Sequence, residues 1–108
     1  MIENFYAIFA ERPTITYDDS LKSTQTYKVN SILKLPVVVE GVPRPKVSWF
    51  HDDIAVEPGK RHTVDVVDKA NALAVRECKR EDGGIYLVTA ENDAGKASAD
   101  FEVLVRGM

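Results

Sequence analysis

The chain has 108 residues, 44% hydrophobic and 29% charged, the composition of one soluble globular domain that can bury a core without metal or disulfide help. A formal charge of -3, with the basic residues scattered along the chain, removes the electrostatic case for nucleic acid or an anionic membrane surface. Cys78 is the single cysteine, so no intrachain disulfide can form, and Asn30-Ser31 is followed by Ile32, which leaves no Asn-x-Ser/Thr acceptor; both features favour a reducing, cytoplasmic setting.

Ile2, Phe5, Tyr6 and Phe9 fall at i, i+3, i+4 and i+7, which predicts a short amino-terminal helix, although Phe5, Ala7 and Phe9 also alternate as a strand would. Arg12-Pro13 stops that helix, because the residue before a proline is pushed out of the α region. Glu3 interrupts the apolar run, no lysine or arginine precedes it, and it is far short of the ~20 residues a spanning helix needs, which argues against export and membrane insertion. A helix of about ten residues is marginal alone in water. The stripe is therefore either a linker or a contact surface for this domain, a neighbouring one or a second copy. Residues 1–12 read as a linker or extension and residues 13–106 as the domain.

From Pro13 onward, short β-branched and aromatic stretches alternate with turn residues every 8–12 positions, the pattern of an all-β antiparallel sandwich. Strands are predicted near 13–17, 25–29, 31–39, 46–50, 54–56, 62–67, 71–77, 84–92 and 96–105. Alternation assigns the faces: Leu33, Leu35, Val37 and Val39 point inward, as do Val47 and Trp49, Leu73 and Val75, Tyr86, Val88 and Ala90, and Phe101, Val103 and Val105. Trp49, the lone tryptophan, is large enough to organise that core, burying roughly 150–250 Å². Gly41-Val42-Pro43-Arg44-Pro45 and Asn92-Asp93-Ala94-Gly95 are turns, Gly95 being free to take positive φ, and Asn30 is suited to a left-handed turn position. Pro36 fits badly in a central strand, where it removes a ladder donor; a bulge or missing bond is expected there, where the first strand changes sheets.

Gly41-Val42-Pro43-Arg44-Pro45-Lys46-Val47-Ser48-Trp49, Leu73-Ala74-Val75, Asp82-Gly83-Gly84-Ile85-Tyr86 and Ala90-Glu91-Asn92-Asp93-Ala94-Gly95 together resemble the intermediate (I) set of the immunoglobulin superfamily over about residues 13–105. The resemblance implies an immunoglobulin-like β-sandwich of two antiparallel sheets with a short amino-terminal extension. The positions of the family's inter-sheet cysteines hold Val37 and Val88 here, and the absent crosslink forgoes about 4 kcal/mol on the chain-entropy estimate. Packing alone must then hold the fold, through Trp49, Val37, Val88, Leu35, Leu73 and Tyr86. Tyr86 matches the family's tyrosine corner, which implies a bond from its hydroxyl to backbone near Asp82. Cys78 stands where the family usually has a buried aliphatic, so it reads as inert core.

No catalytic constellation emerges. His51-Asp52-Asp53 with His62 is the one cluster that suggests metal, but it reads as a polar turn after a strand rather than as converging ligands. Ser48 and His51 lie on opposite faces of their strand, and Gly83-Gly84 sits in a turn between strands rather than at a strand-to-helix phosphate loop. The mixed run Arg76-Glu77-Cys78-Lys79-Arg80-Glu81-Asp82 reads as a solvated turn in preference to a docking patch, and an Arg61–Asp82 pair, if exposed, adds at most about 1 kcal/mol.

The absent crosslink resembles the intracellular I-set domains of giant muscle proteins such as twitchin, titin and obscurin. That resemblance implies a non-enzymatic spacer, load-bearing element and docking surface in a sarcomeric or cytoskeletal chain, with no cofactor. Its partners would be other proteins or neighbouring domains, or a second copy meeting through the Ile2, Phe5, Tyr6, Phe9 stripe or a sheet edge. The alternatives are an extracellular adhesion or receptor domain that lost its disulfide, and a domain flanking a kinase in a giant muscle protein.

Overall fold

The computed structural model describes residues 9–107, so the helix expected over Ile2, Phe5 and Tyr6 lies outside the described residues. Nine strands follow in chain order: β1 (Glu11–Thr16), β2 (Gln25–Lys28), β3 (Leu33–Val42), β4 (Lys46–His51), β5 (Ile54–Ala55), β6 (His62–Val67), β7 (Ala70–Val75), β8 (Gly84–Asn92) and β9 (Gly95–Arg106). They form two layers, a four-stranded sheet ordered β1-β3-β7-β6 and a five-stranded sheet ordered β2-β9-β8-β4-β5.

The alternation of apolar side chains decides which face of each strand is buried. In β3 the exposure pattern switches at every residue from Leu33 to Glu40, so Leu33, Leu35, Val37 and Val39 all face the opposite sheet. Trp49 is 4% exposed and its ring lies 6.4 Å from that of Phe101; Tyr17 meets Phe101 edge-on at 4.9 Å. Val37, Val88, Leu35, Leu73 and Tyr86 belong to the same buried cluster as Trp49. Val37 and Val88, at the positions where the resemblance would place a disulfide, are therefore packed side chains, and apolar burial takes the place of a covalent tie between the two layers.

Every neighbouring pair is antiparallel except one. β2 runs parallel to β9, from Gln25↔Val103 to Lys28↔Arg106. Between β1 and β2 the chain crosses from one sheet to the other through a single 3-10 turn, Asp19–Lys22, started by Ser20 N–H donating to Asp18 Oδ1 at 2.9 Å and anchored by buried Leu21. It does not reverse as a hairpin would, so it meets β9 in the same sense.

Of the two expectations at Pro36, the missing bond holds and the bulge does not. The β3–β7 register runs unbroken through Pro36↔Ala72, and the irregularity instead falls in β1, between Glu11 and Thr14, around Pro13. Val39 N–H donates to Lys69 O, which places the odd-numbered amides of β3 on the β7 side and turns the nitrogen of Pro36 toward β1. There β1 has already ended, its last partner being Val38. The missing donor thus faces the gap left where β1 leaves this sheet and the chain crosses through residues 17–24 to β2.

Candidate interaction surfaces

The polar turn after β4 is occupied by structural work. His51 Nε2 lies 2.8 Å from Gly83 O, and its ring stacks on Tyr86 at 4.4 Å. Asp52 accepts from Ile85 N–H through Oδ1 and donates its own N–H to Ile85 O, both at 2.8 Å. Gly84, at φ 134°, leaves the room for that carboxylate, because a Cβ there would sit 2.6 Å from it. Among the described residues no group of three or more His, Cys, Asp or Glu side chains could hold a metal ion.

Asp82 is buried at 4% exposure, so its pairing with Arg61 is not the exposed contact anticipated from sequence. Its carboxylate accepts from Arg61 Nη1 at 2.8 Å, Arg61 Nη2 at 3.3 Å and Lys79 N–H at 2.7 Å, while its carbonyl accepts from the Tyr86 hydroxyl. Burial pushes the Asp82 carboxyl up, but the hydrogen bonds from Arg61 and Lys79 outweigh it and hold the group below the usual carboxylate range. His62 Nε2 is 4.0 Å from the same carboxylate, yet burial and then the Arg61 charge push its pKa down. Burial likewise pushes the Tyr86 phenol up. Cys78 is fully buried and donates Sγ–H to Lys28 O at 3.1 Å.

One end of the sandwich is stitched by Asn92. Its Nδ2 donates to Glu11 O at 2.8 Å and to Pro43 O at 3.0 Å, and its Oδ1 accepts from Ala94 N–H at 2.8 Å. Phe9, 58% exposed, lies two residues before β1 at this end; Ile2, Phe5 and Tyr6, the rest of the predicted stripe, fall outside the described residues.

The sheet edges differ in how they are protected. β1 is broken by its register shift at Pro13, β2 has four residues and β5 two. β6 has six, with no proline or lysine, and Val66 and Val67 are 55% and 72% exposed. Arg76 N–H donates to Arg61 O and Gly59 N–H to His62 O, so odd-numbered backbone groups serve β7 and those of Val64 and Val66 face away from the sheet. The side chains of those two residues point inward: Val64 packs on the core and Val66 lines a groove of about 510 Å³ between β6 and β4, with Trp49, Val47 and Val56. Trp49 Nε1 donates to Asn71 Oδ1 at 2.9 Å at the same groove. Neither Asn71 nor the position of β6 at a sheet edge is singled out by the sequence; the signal for β6 as a strand is the run Val64-Asp65-Val66-Val67, with Asp65 its one carboxylate.

Comparison with known proteins places this architecture. The model of the immunoglobulin I-set domain matches residues 17–105. Titin of Drosophila melanogaster is 30% identical over 95 residues, 88% of this chain. Hemicentin-2 of Mus musculus is 33% identical over 109 residues (96% of the chain), and the muscle M-line assembly protein unc-89 of Caenorhabditis elegans 36% over 86 residues (79%). The chain spans 0%, 2% and 1% of those relatives' lengths respectively. Among solved structures, titin domain M7 superposes with a TM-score of 0.82 at 23% identity, covering 92% of this chain and 98% of that one. Titin domains Z1Z2 in complex with telethonin give 0.83 at 27% identity, covering 92% of this chain and 49% of that one.

Proposed function

Because the chain belongs to the immunoglobulin I-set family, we propose that it is one module of a long intracellular, sarcomeric or cytoskeletal chain, where it spaces, bears load and docks other proteins. The observation that carries this reading is the similarity to stretches that make up 1% or less of very long muscle proteins. Its disulfide-free core, built on Trp49 with Val37 and Val88 in place of a crosslink, suits a reducing compartment. That titin Z1Z2 was solved with telethonin supports docking as part of the role. No catalytic activity and no cofactor belong to the proposal.

Two experiments test it. The chain is linked in a tandem array and pulled by atomic force microscopy: each unfolding event should lengthen the array by about 30 nm, as expected for β1 to β9 extended, and the modules should refold on relaxation. An array that yields without discrete steps, or does not refold, refutes the load-bearing role. A tagged chain expressed in muscle cells should be retained in the cytoplasm in a striated pattern, and secretion of the folded chain refutes the intracellular one. The stripe Ile2, Phe5, Tyr6, Phe9 serves as a second contact in this reading. Light scattering on the intact chain and on one starting at Arg12 tests it, a concentration-dependent mass in the intact chain alone being the supporting result.

A further inference from the structure

We infer that the outer face of the five-stranded sheet, around Leu104, is a self-association surface that takes a second copy of this chain. Along β9 the side chains turned away from the core include Asp100, Glu102, Leu104 and Arg106. The register sets Ile85 of β8 beside Glu102, and Thr26 and Lys28 of β2 beside Leu104 and Arg106, so these residues share that face. Leu104 and Ile85 are large apolar side chains left 41% and 44% exposed. Leu104 thus separates an acidic end, Asp100 and Glu102, from a basic end, Arg106 and Lys28. Arg80, which donates Nε to Gly107 O at 3.1 Å, extends the basic end. Among the described residues none of these five charged side chains forms an ion pair. Lys28 and Arg106 even stand side by side in the ladder, a like-charge pairing that costs stability.

Charge chooses the occupant. Glu102 and Arg106 stand about 13 Å apart on one strand with Leu104 between them, so they cannot neutralise each other within a chain. A two-fold axis across the strands at Leu104, between two facing copies, brings them together. It sets Leu104 on Leu104 of the second copy and Thr26 on Thr26, and it sets Glu102 of each copy against Arg106 and Lys28 of the other. The same operation carries Asp100 toward the Arg80 end. Facing sheets pack ~10 Å apart, a gap that a glutamate and an arginine span together. Other placements fail. An axis between Asp100 and Glu102 sets those carboxylates on each other and Lys96 on Arg106, an axis along β9 sets every charge on itself, and one at Ser98 sets Glu91 and Lys46 on Leu87 and Phe50. A handful of side chains from each copy makes a contact of the transient class, below ~1,200 Å² in total, with a dissociation constant on the order of 0.1–1 mM. At micromolar chain, where light scattering reads the amino-terminal stripe, this contact is dissociated.

The whole chain, isotope-labelled for NMR, is concentrated from tens of micromolar to about 2 mM. Its diffusion coefficient should fall, and the amide signals of Thr26, Lys28, Ile85, Glu102, Leu104 and Arg106 should move together. Glu102→Lys and Arg106→Glu, both exposed substitutions, each place like charges across the axis twice, so each should weaken the dimer about tenfold or more. Mixed in equal amounts, the two variants should restore it as a heterodimer, because each then meets the opposite charge in the other. The chain carrying both changes keeps the original net charge and should dimerise as wild type does, which separates pairing across the axis from general attraction. A wild type that stays monomeric at about 2 mM overturns the surface. So does a dimer that both single variants leave intact, that the mixture fails to restore, or whose shifts map to other strands. Each of those results leaves the module's spacing role, read from the pulling steps, intact.

Discussion

Asp82→Asn is the most informative single change. It keeps the shape of the side chain and an acceptor for Lys79 N–H, but it removes the charge and turns an amide NH2 toward Arg61, which donates at 2.8 and 3.3 Å. Charge-assisted bonds contribute ~1.5–3 kcal/mol each when buried. Arg61 is 26% exposed while Asp82 is 6%, so screening trims the pair, and the expected loss at neutral pH is about 2–3 kcal/mol. Because the folded carboxyl titrates below its unfolded value of about 3.9, its contribution is fully present above that pH and is lost as pH falls through the folded pKa. Urea unfolding of wild type and variant should therefore show the full gap at pH 7 and a closing gap below pH 4, as the Asp82 carboxyl protonates. A gap under about 0.5 kcal/mol at pH 7, or one unchanged at pH 3, refutes the reasoning.

His62 acts in a separate window: its folded pKa is depressed by burial and by Arg61, so stability is lost as pH falls below about 6.5, where the unfolded histidine protonates first. His62→Gln should flatten the stability profile between pH 7 and 5, and an unchanged slope would rule the residue out. Trp49→Ala, which empties the core and leaves the Asn71 carboxamide oxygen without its donor, should cost about 3–5 kcal/mol by denaturant titration; unchanged melting would sink the core assignment. Gly84→Ala meets the Asp52 carboxylate and a φ of 134° together, so a loss above about 1 kcal/mol is expected, with Asp52→Ala recovering part of it in a double-mutant cycle.

Much of the fold is legible in the sequence because period-two alternation is a local signal. The strands follow from it, the left-handed Asn30 at φ 73° from its residue type at a turn, and the Tyr86 bond to Asp82 O from what the family resemblance implies. What was not legible depends on neighbours. The effect of Pro36 turns on which way its nitrogen points and on where β1 stops, and neither is written near Pro36. The 3-10 turn at Asp19–Lys22 is too short to show a period. Asp82 reads as an exposed turn residue until Lys79, Arg61 and Tyr86 close over it. The openness of β6 is likewise a property of the assembled sheet: nothing in His62–Val67 says that it ends a layer instead of lying inside one.

The Asn92 stitch has a consequence in time. It joins Glu11 and Pro43 across 81 and 49 residues of chain, so its bonds reward the chain only after β1, the turn that follows β3 and the end of β8 have come together. Interactions absent from the folding transition state act on the unfolding rate. Asn92→Ala should therefore speed unfolding in stopped-flow chevrons and leave the refolding limb in place. One amide at the end of the sandwich then governs how long the domain stays closed, not how quickly it forms.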